Sequence, residues 1–266
     1  MEVNVGFALM LTTLAGLATG IGGAIAYFIR RPTYSFLAIM LAFSAGVMVY
    51  ISFAELLKTA IEEVGFGTAN IAFFAGILFI AIIDILVPHE YKEERVTKRQ
   101  QRVTGESSVG ERSVLMRAGM FTALGIAIHN FPEGLAVFGS AATGDVTLGI
   151  AVALAIAIHN VPEGISVAVP IFYATSSRGK AFIYSFSSGL AEPVGALIGY
   201  AILLPFISPM VLSSLLAFVA GIMIYISLDE LLPLAHRYGR EHLVIAGIGA
   251  GMLIMALSLF IVRWLA

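Results

Sequence analysis

The chain contains no cysteine. That absence excludes disulfides, thiolate metal sites and cysteine nucleophiles together, and it leaves the compartment to be read from topology. Charge is scarce too: 12% of the 266 residues are Asp, Glu, Lys or Arg, against 59% hydrophobic. A water-soluble domain of this length cannot cover so much apolar surface, so the solvent is lipid. The net charge of −2 points to no charged partner, and no nucleic acid is expected. The opening "MEVNVGFALM" lacks the basic region of a cleavable signal, so its apolar run is expected to stay as a helix.

What the chain has in abundance is long hydrophobic runs. A spanning helix needs about 20 mostly apolar residues. Eight runs qualify, at about 5–29, 34–57, 67–88, 118–140, 146–173, 181–204, 209–234 and 242–265. The expectation is an all-α integral membrane protein, one transmembrane domain over residues 1–266, with a polar loop at about 90–117. Lys and Arg set the orientation, because they gather on the inner side. With the N-terminus outside, 13 of the 15 Lys and Arg fall on inner connections, leaving Lys58 and Arg263 outside. Both termini are therefore expected outside.

Two internal repeats are present. "AGVMVYISFAELL" (Ala45 to Leu57) matches "AGIMIYISLDELL" (Ala220 to Leu232) at 9 of 13 positions. "AIHNFPEG" (Ala127 to Gly134) is followed by "AIHNVPEG" (Ala157 to Gly164). Each repeat joins helices that run oppositely across the membrane, as inverted repeats require. Secondary transporters use that plan, with a site at the midplane.

The second repeat carries the chemistry. His129 and Glu133 are four residues apart and Asn130 and Glu133 three, so all three share a helix face. His159, Asn160 and Glu163 repeat the pattern. Packed antiparallel, the two helices would offer imidazoles, amide oxygens and carboxylates to one space, which suits zinc and its divalent neighbours. Pro132 and Pro162 cannot donate to the carbonyls of Ile128 and Ile158, so a kink is expected in each helix. Gly134 and Gly164 allow close approach of a helix or an ion. In the sixth run, "GLAEPVGA" puts Glu192 at mid-membrane. A charged acid there costs about 2.5–3.5 kcal/mol on insertion scales. Three such acids would repel one another unless protonated or bridged by cations. Packing alone explains a single buried Glu well, but not His, Asn and Glu occurring twice beside a third acid.

Other polar residues have weaker claims. Glu55 near the outer end of the second run, and Asp229 and Glu230 near the inner end of the seventh, could line access paths or simply meet water. Asp84, His89, His236 and His242 sit near the inner surface, where ordinary interfacial residues are commonplace.

At these residues the chain resembles the ZIP family of divalent-metal transporters, particularly its bacterial zinc transporters. The resemblance extends over essentially the whole chain, and the paired "HNxPEG" motifs with "GLAEPVGA" carry it. It implies a binuclear centre: His129, Glu133, His159 and Glu163 at one metal, and Asn130, Glu133, Asn160, Glu163 and Glu192 at the other. It also implies that helices one, four, five and six move against two, three, seven and eight, and it suggests a homodimer. Many relatives carry a His-rich inner loop, whereas residues 90–128 contain no His, so metal buffering by that loop is not expected.

The expected function is import of zinc, and of iron, manganese, cobalt or cadmium, across the cell membrane by alternating access. Metal is then cargo, with no resident cofactor and no enzyme activity. Two other readings stay open. A metal-selective channel would use the same ligands. An intramembrane zinc hydrolase would keep an open coordination position and often pairs two His at i, i+4; here each His pairs with Glu, and no separate acid–base set is evident.

Overall fold

The computed structural model describes residues 5–28, 33–86, 107–142, 146–203 and 208–265, and among these there is no strand. The helices are α1 (Val5–Ala24), α2 (Tyr34–Ile51), α3 (Lys58–Leu86), α4 (Ser107–Ala142), α5 (Val146–Thr175), α6 (Arg178–Gly189), α7 (Ala191–Ile198), α8 (Pro209–Ile226), α9 (Leu232–Tyr238) and α10 (Glu241–Leu265). Short 3-10 or π turns extend α1, α2, α7 and α8.

Six helical stretches among the described residues are long and apolar enough to cross a membrane. This is a multi-pass, all-α arrangement. One of the six, Tyr34–Leu86, has 53 residues. At 1.5 Å per residue that is about 80 Å, far beyond a hydrocarbon core of about 30 Å. The stretch is divided at Gly65, whose φ of 80° and ψ of 159° are not helical. Positive φ costs glycine little because it has no Cβ.

The sixth expected run is also divided. Pro193 cannot donate to Gly189 O, so the helix breaks at Leu190 between α6 and α7. Glu192 thereby falls in the first turn of α7, where exposed N–H groups favour an acid. By contrast α4 and α5 continue through Pro132, Pro162 and Pro170 as helix. Helix α4 begins at Ser107, well ahead of the apolar run that opens near residue 118.

Packing sorts the helices into two groups. Helices α1, α4, α5, α6 and α7 pack mainly on one another, while α2 pairs with α10 and α3 with α8. The groups meet chiefly where α2 lies against α5 and α4 against α8. The first repeat is matched in three dimensions. Both copies end in a π turn, Ser52–Leu57 and Ser227–Leu231. The leading serine of each turn donates its hydroxyl to the carbonyl four residues back, Ser52 to Met48 O (2.7 Å) and Ser227 to Met223 O (2.8 Å). That bond competes for the helix's own acceptor and loosens the turn. The repeat's glycines match too: a Cβ at Gly46 would lie 2.2 Å from Ile248 O, and one at Gly221 2.0 Å from Phe73 O.

Gly46→Ala and Gly221→Ala should therefore overpack their interfaces, at about 1–3 kcal/mol each. Gly249→Ala, which meets nothing within 4 Å, should be neutral or stabilising. Thermal melting of the detergent-solubilised protein checks this: the first two should melt several degrees lower and the third should not.

Candidate metal centre

All seven residues singled out from the repeated motif and from "GLAEPVGA" are buried, none more than 1% exposed. His129, Asn130 and Glu133 come from α4, His159, Asn160 and Glu163 from α5, and Glu192 from α7. The two histidines do not pair with the glutamates of their own helix. His129 Nε2 lies 3.0 Å from Glu163 Oε2, across the interface. His159 Nε2 lies 3.2 Å from both carboxylate oxygens of Glu133. The i, i+4 spacing thus puts each pair on the face turned to the other helix, and antiparallel packing crosses the partners over. One ligand atom each from His129, Glu133 and Glu163 falls within 4.8 Å of the others.

The two asparagines are oriented by backbone carbonyls. Asn130 Nδ2 donates to Ser188 O of α6 at 3.3 Å. Asn160 Nδ2 donates to Ala15 O of α1 at 2.9 Å and to Glu192 Oε1. Since each amide nitrogen is engaged, each amide oxygen is left to the interior. Among the described residues, neither Asn130 Oδ1 nor Asn160 Oδ1 has a hydrogen-bond partner, and the same holds for Glu192 Oε2 and Glu163 Oε1. Buried acceptors of this kind carry a desolvation cost of about 1–3 kcal/mol each. They are all electron-pair donors, which fits a cation and not a hydrogen-bond acceptor.

The motif glycines let neighbouring backbones in. A Cβ at Gly134 would lie 2.1 Å from Glu192 O on α7, and one at Gly164 2.0 Å from Thr19 O on α1. Ser185 of α6 completes the second contact, its hydroxyl sitting 2.9 Å from Thr19 O and 3.1 Å from Gly164 O. This supporting layer of Ala15, Thr19, Ser185 and Ser188 was not legible in the sequence, because serines and backbone carbonyls carry no spacing signal.

A second acidic group lies nearby. Asp84 of α3 and Asp229 and Glu230 of the π turn after α8 can bring a ligand atom each within 4.8 Å of one another. Tyr225 donates to Asp84 Oδ2 at 2.9 Å. The cavity holding Asp84, Tyr225 and Glu230 reaches Gly125 and Ile128 of α4, the latter next to His129. His236 and His242 are exposed and contribute to neither group. Glu55 lies in the π turn after α2, in the other copy of that repeat. His89 lies outside the described residues.

Residues 86–259 match the family model described as ZIP zinc transporter. The chain belongs to the ZIP family. Relatives named zinc transporter ZupT match along nearly the whole length. That of Nitratidesulfovibrio vulgaris is 52% identical, covering 97% of this chain and 98% of the relative. That of Clostridium perfringens is 52% identical, covering 97% and 96%. That of Chlorobium phaeovibrioides is 54% identical, covering 96% and 97%. ZIP membership places the chain among transporters and not among enzymes. Helices α4, α5 and α7, which bear the seven residues, all lie inside the ZIP match.

Gly134→Ala and Gly164→Ala alter no candidate ligand but should push α7 and α1 away from the motif. Each is expected to weaken divalent-metal binding by about tenfold or more, the equivalent of about 1.4 kcal/mol, as read by equilibrium dialysis of the purified protein.

Proposed function

We propose that this ZIP protein imports zinc across the cell membrane, through a binuclear midplane site presented alternately to each side. The observation that carries the reading is the crossed pairing of His129 with Glu163 and of His159 with Glu133, fully buried between α4 and α5. Neither helix alone completes either pair, so the doubled motif makes one site.

The donor set divides by chemistry. His129, His159, Glu133 and Glu163 offer imidazole and carboxylate to one ion, a combination suited to zinc. Asn130, Asn160, Glu192 and the two shared glutamates offer only oxygen to a second. Mixed nitrogen and oxygen donors also suit iron, manganese, cobalt and cadmium, so discrimination among them would be modest. Two cations would offset the charge of three acids brought into one apolar interior.

Eight passes with both termini outside would put the Asp84, Asp229 and Glu230 cavity on the inner side of the centre. Motion of the α1, α4, α5, α6 and α7 group against the rest would alternate access, and a second copy of the chain is the expected assembly. A saturable flux far slower than channel conduction distinguishes this carrier from a metal-selective channel. An intramembrane hydrolase is disfavoured because ZIP membership places the chain among transporters.

Glu133→Ala and Glu163→Ala should each abolish zinc uptake into proteoliposomes while leaving the protein monodisperse in detergent. Uptake at the unaltered rate in either variant would sink the assignment of shared carboxylates.

A further inference from the structure

Two hydrogen bonds tie α5, which carries His159, Asn160 and Glu163, to α2, which carries no site residue. Ser44 Oγ, buried on α2, donates to Pro162 O at 2.9 Å. Tyr173 Oη donates to Thr33 O at 2.6 Å. Positions 33 and 44 on α2, and 173 and 162 on α5, have the same eleven-residue spacing in opposite order. The helices therefore lie antiparallel and in register, pinned at two points about three turns apart. Aromatic rings brace the lower pin: Tyr34 stacks on Tyr238 of α9 with centroids 5.1 Å apart, and contacts Tyr173 at 6.2 Å.

The upper pin has an unusual set of neighbours. Helix α5 contains Pro162 and Pro170. A proline has no N–H, so each leaves the carbonyl four residues earlier without its helical donor. Those carbonyls belong to Ile158 and Ser166, one turn to either side of Pro162 and close to its face of the helix. A hydroxyl travelling along α5 would meet a carbonyl at each one-turn step, and those one turn to either side of Pro162 lack a helical donor. One packed element can ratchet past another by a whole turn, because interdigitated side chains are bistable and not continuously deformable.

We propose that Ser44 is a positioning residue for transport, its hydroxyl passing from Pro162 O to Ser166 O as α5 moves outward along α2 by one turn, about 6 Å. Tyr173 leaves Thr33 O in the same movement, so the two pins define the inward end of the travel. The direction follows if both termini lie outside, as proposed: the cavity lined by Asp84, Tyr225 and Ile128 is then on the inner side of His129. Outward displacement brings Ser166, which lies nearer the inner end of α5, level with Ser44. This inference rests on the alternating-access reading and adds to it the role of the Ser44 hydroxyl.

A double-mutant cycle on zinc uptake and zinc binding tests it. Pro170→Ala returns an N–H to Ser166 O, so it should slow uptake roughly threefold to tenfold, the rate equivalent of one hydrogen bond. Zinc affinity should stay within about twofold, since no ligand changes. In a Ser44→Ala background, Pro170→Ala should slow uptake no further, because the acceptor it occupies then has no user. Equal slowing in both backgrounds would overturn the hand-off. Should the proline variant fail to fold, the absence of native cysteine allows a second approach. A Thr33→Cys, Tyr173→Cys protein bridged by a reducible two-thiol reagent should bind zinc but not import it, and reduction should restore import. Import at the unbridged rate would overturn the displacement while leaving a carrier cycle that uses some other movement. Channel-like, non-saturating flux in the unaltered protein would overturn the carrier reading, and this inference with it.

Discussion

A carboxylate carried into hydrocarbon must find a partner or give up its charge, and three of them within one interior cannot do so independently. The crossed contacts between α4 and α5 resolve part of that conflict: His129 meets Glu163 and His159 meets Glu133 across the interface. Much else follows from keeping those two helices antiparallel and level. Gly134 and Gly164 admit the backbones of α7 and α1, which in turn deliver Glu192 and the carbonyl of Ala15. The break at Leu190 belongs to the same requirement, since it places Glu192 in an opening turn of α7 facing Asn160.

The supporting layer explains why amides, and not more acids, fill two of the inner positions. Asn130 and Asn160 each satisfy a neighbouring carbonyl with the nitrogen and leave the oxygen inward. A carboxylate in either place would set oxygen against the carbonyl oxygen of Ser188 or Ala15. The amide therefore does two tasks that one acid could not do together: it closes a helix contact and offers a neutral donor. That limits the negative charge gathered in the membrane while keeping the count of oxygen donors high.

The buried cluster was legible in the sequence because ionisable residues in an oily run are rare and the motif occurs twice. The helix-face argument put His129, Asn130 and Glu133 on one face, and the closest pairs from that face are between helices. Spacing defines a face but not the partner opposite it. The repeat around Ala45 and Ala220 was legible as well, whereas its π turns were not: they depend on Ser52 and Ser227 bonding back to Met48 and Met223, and serine in a helix more often makes no such change. The kinks expected at Pro132 and Pro162 are absorbed within continuous helix, while the break came at Pro193, where Gly189 packs against Gly16. The gathering of Asp84 with Asp229 and Glu230 could not be read at all, because residues so far apart in sequence meet only once α3 packs on α8.

The central claim is that one metal centre is built from both copies of the motif. Zinc K-edge absorption of the purified, zinc-loaded protein tests it most directly, because the spectrum distinguishes imidazole from oxygen ligands. The account expects nitrogen and oxygen neighbours at about 2.0–2.2 Å with imidazole scattering, reduced by either His129→Ala or His159→Ala alone. Zinc bound through oxygen only, or an imidazole signal unaffected by both substitutions, would contradict it.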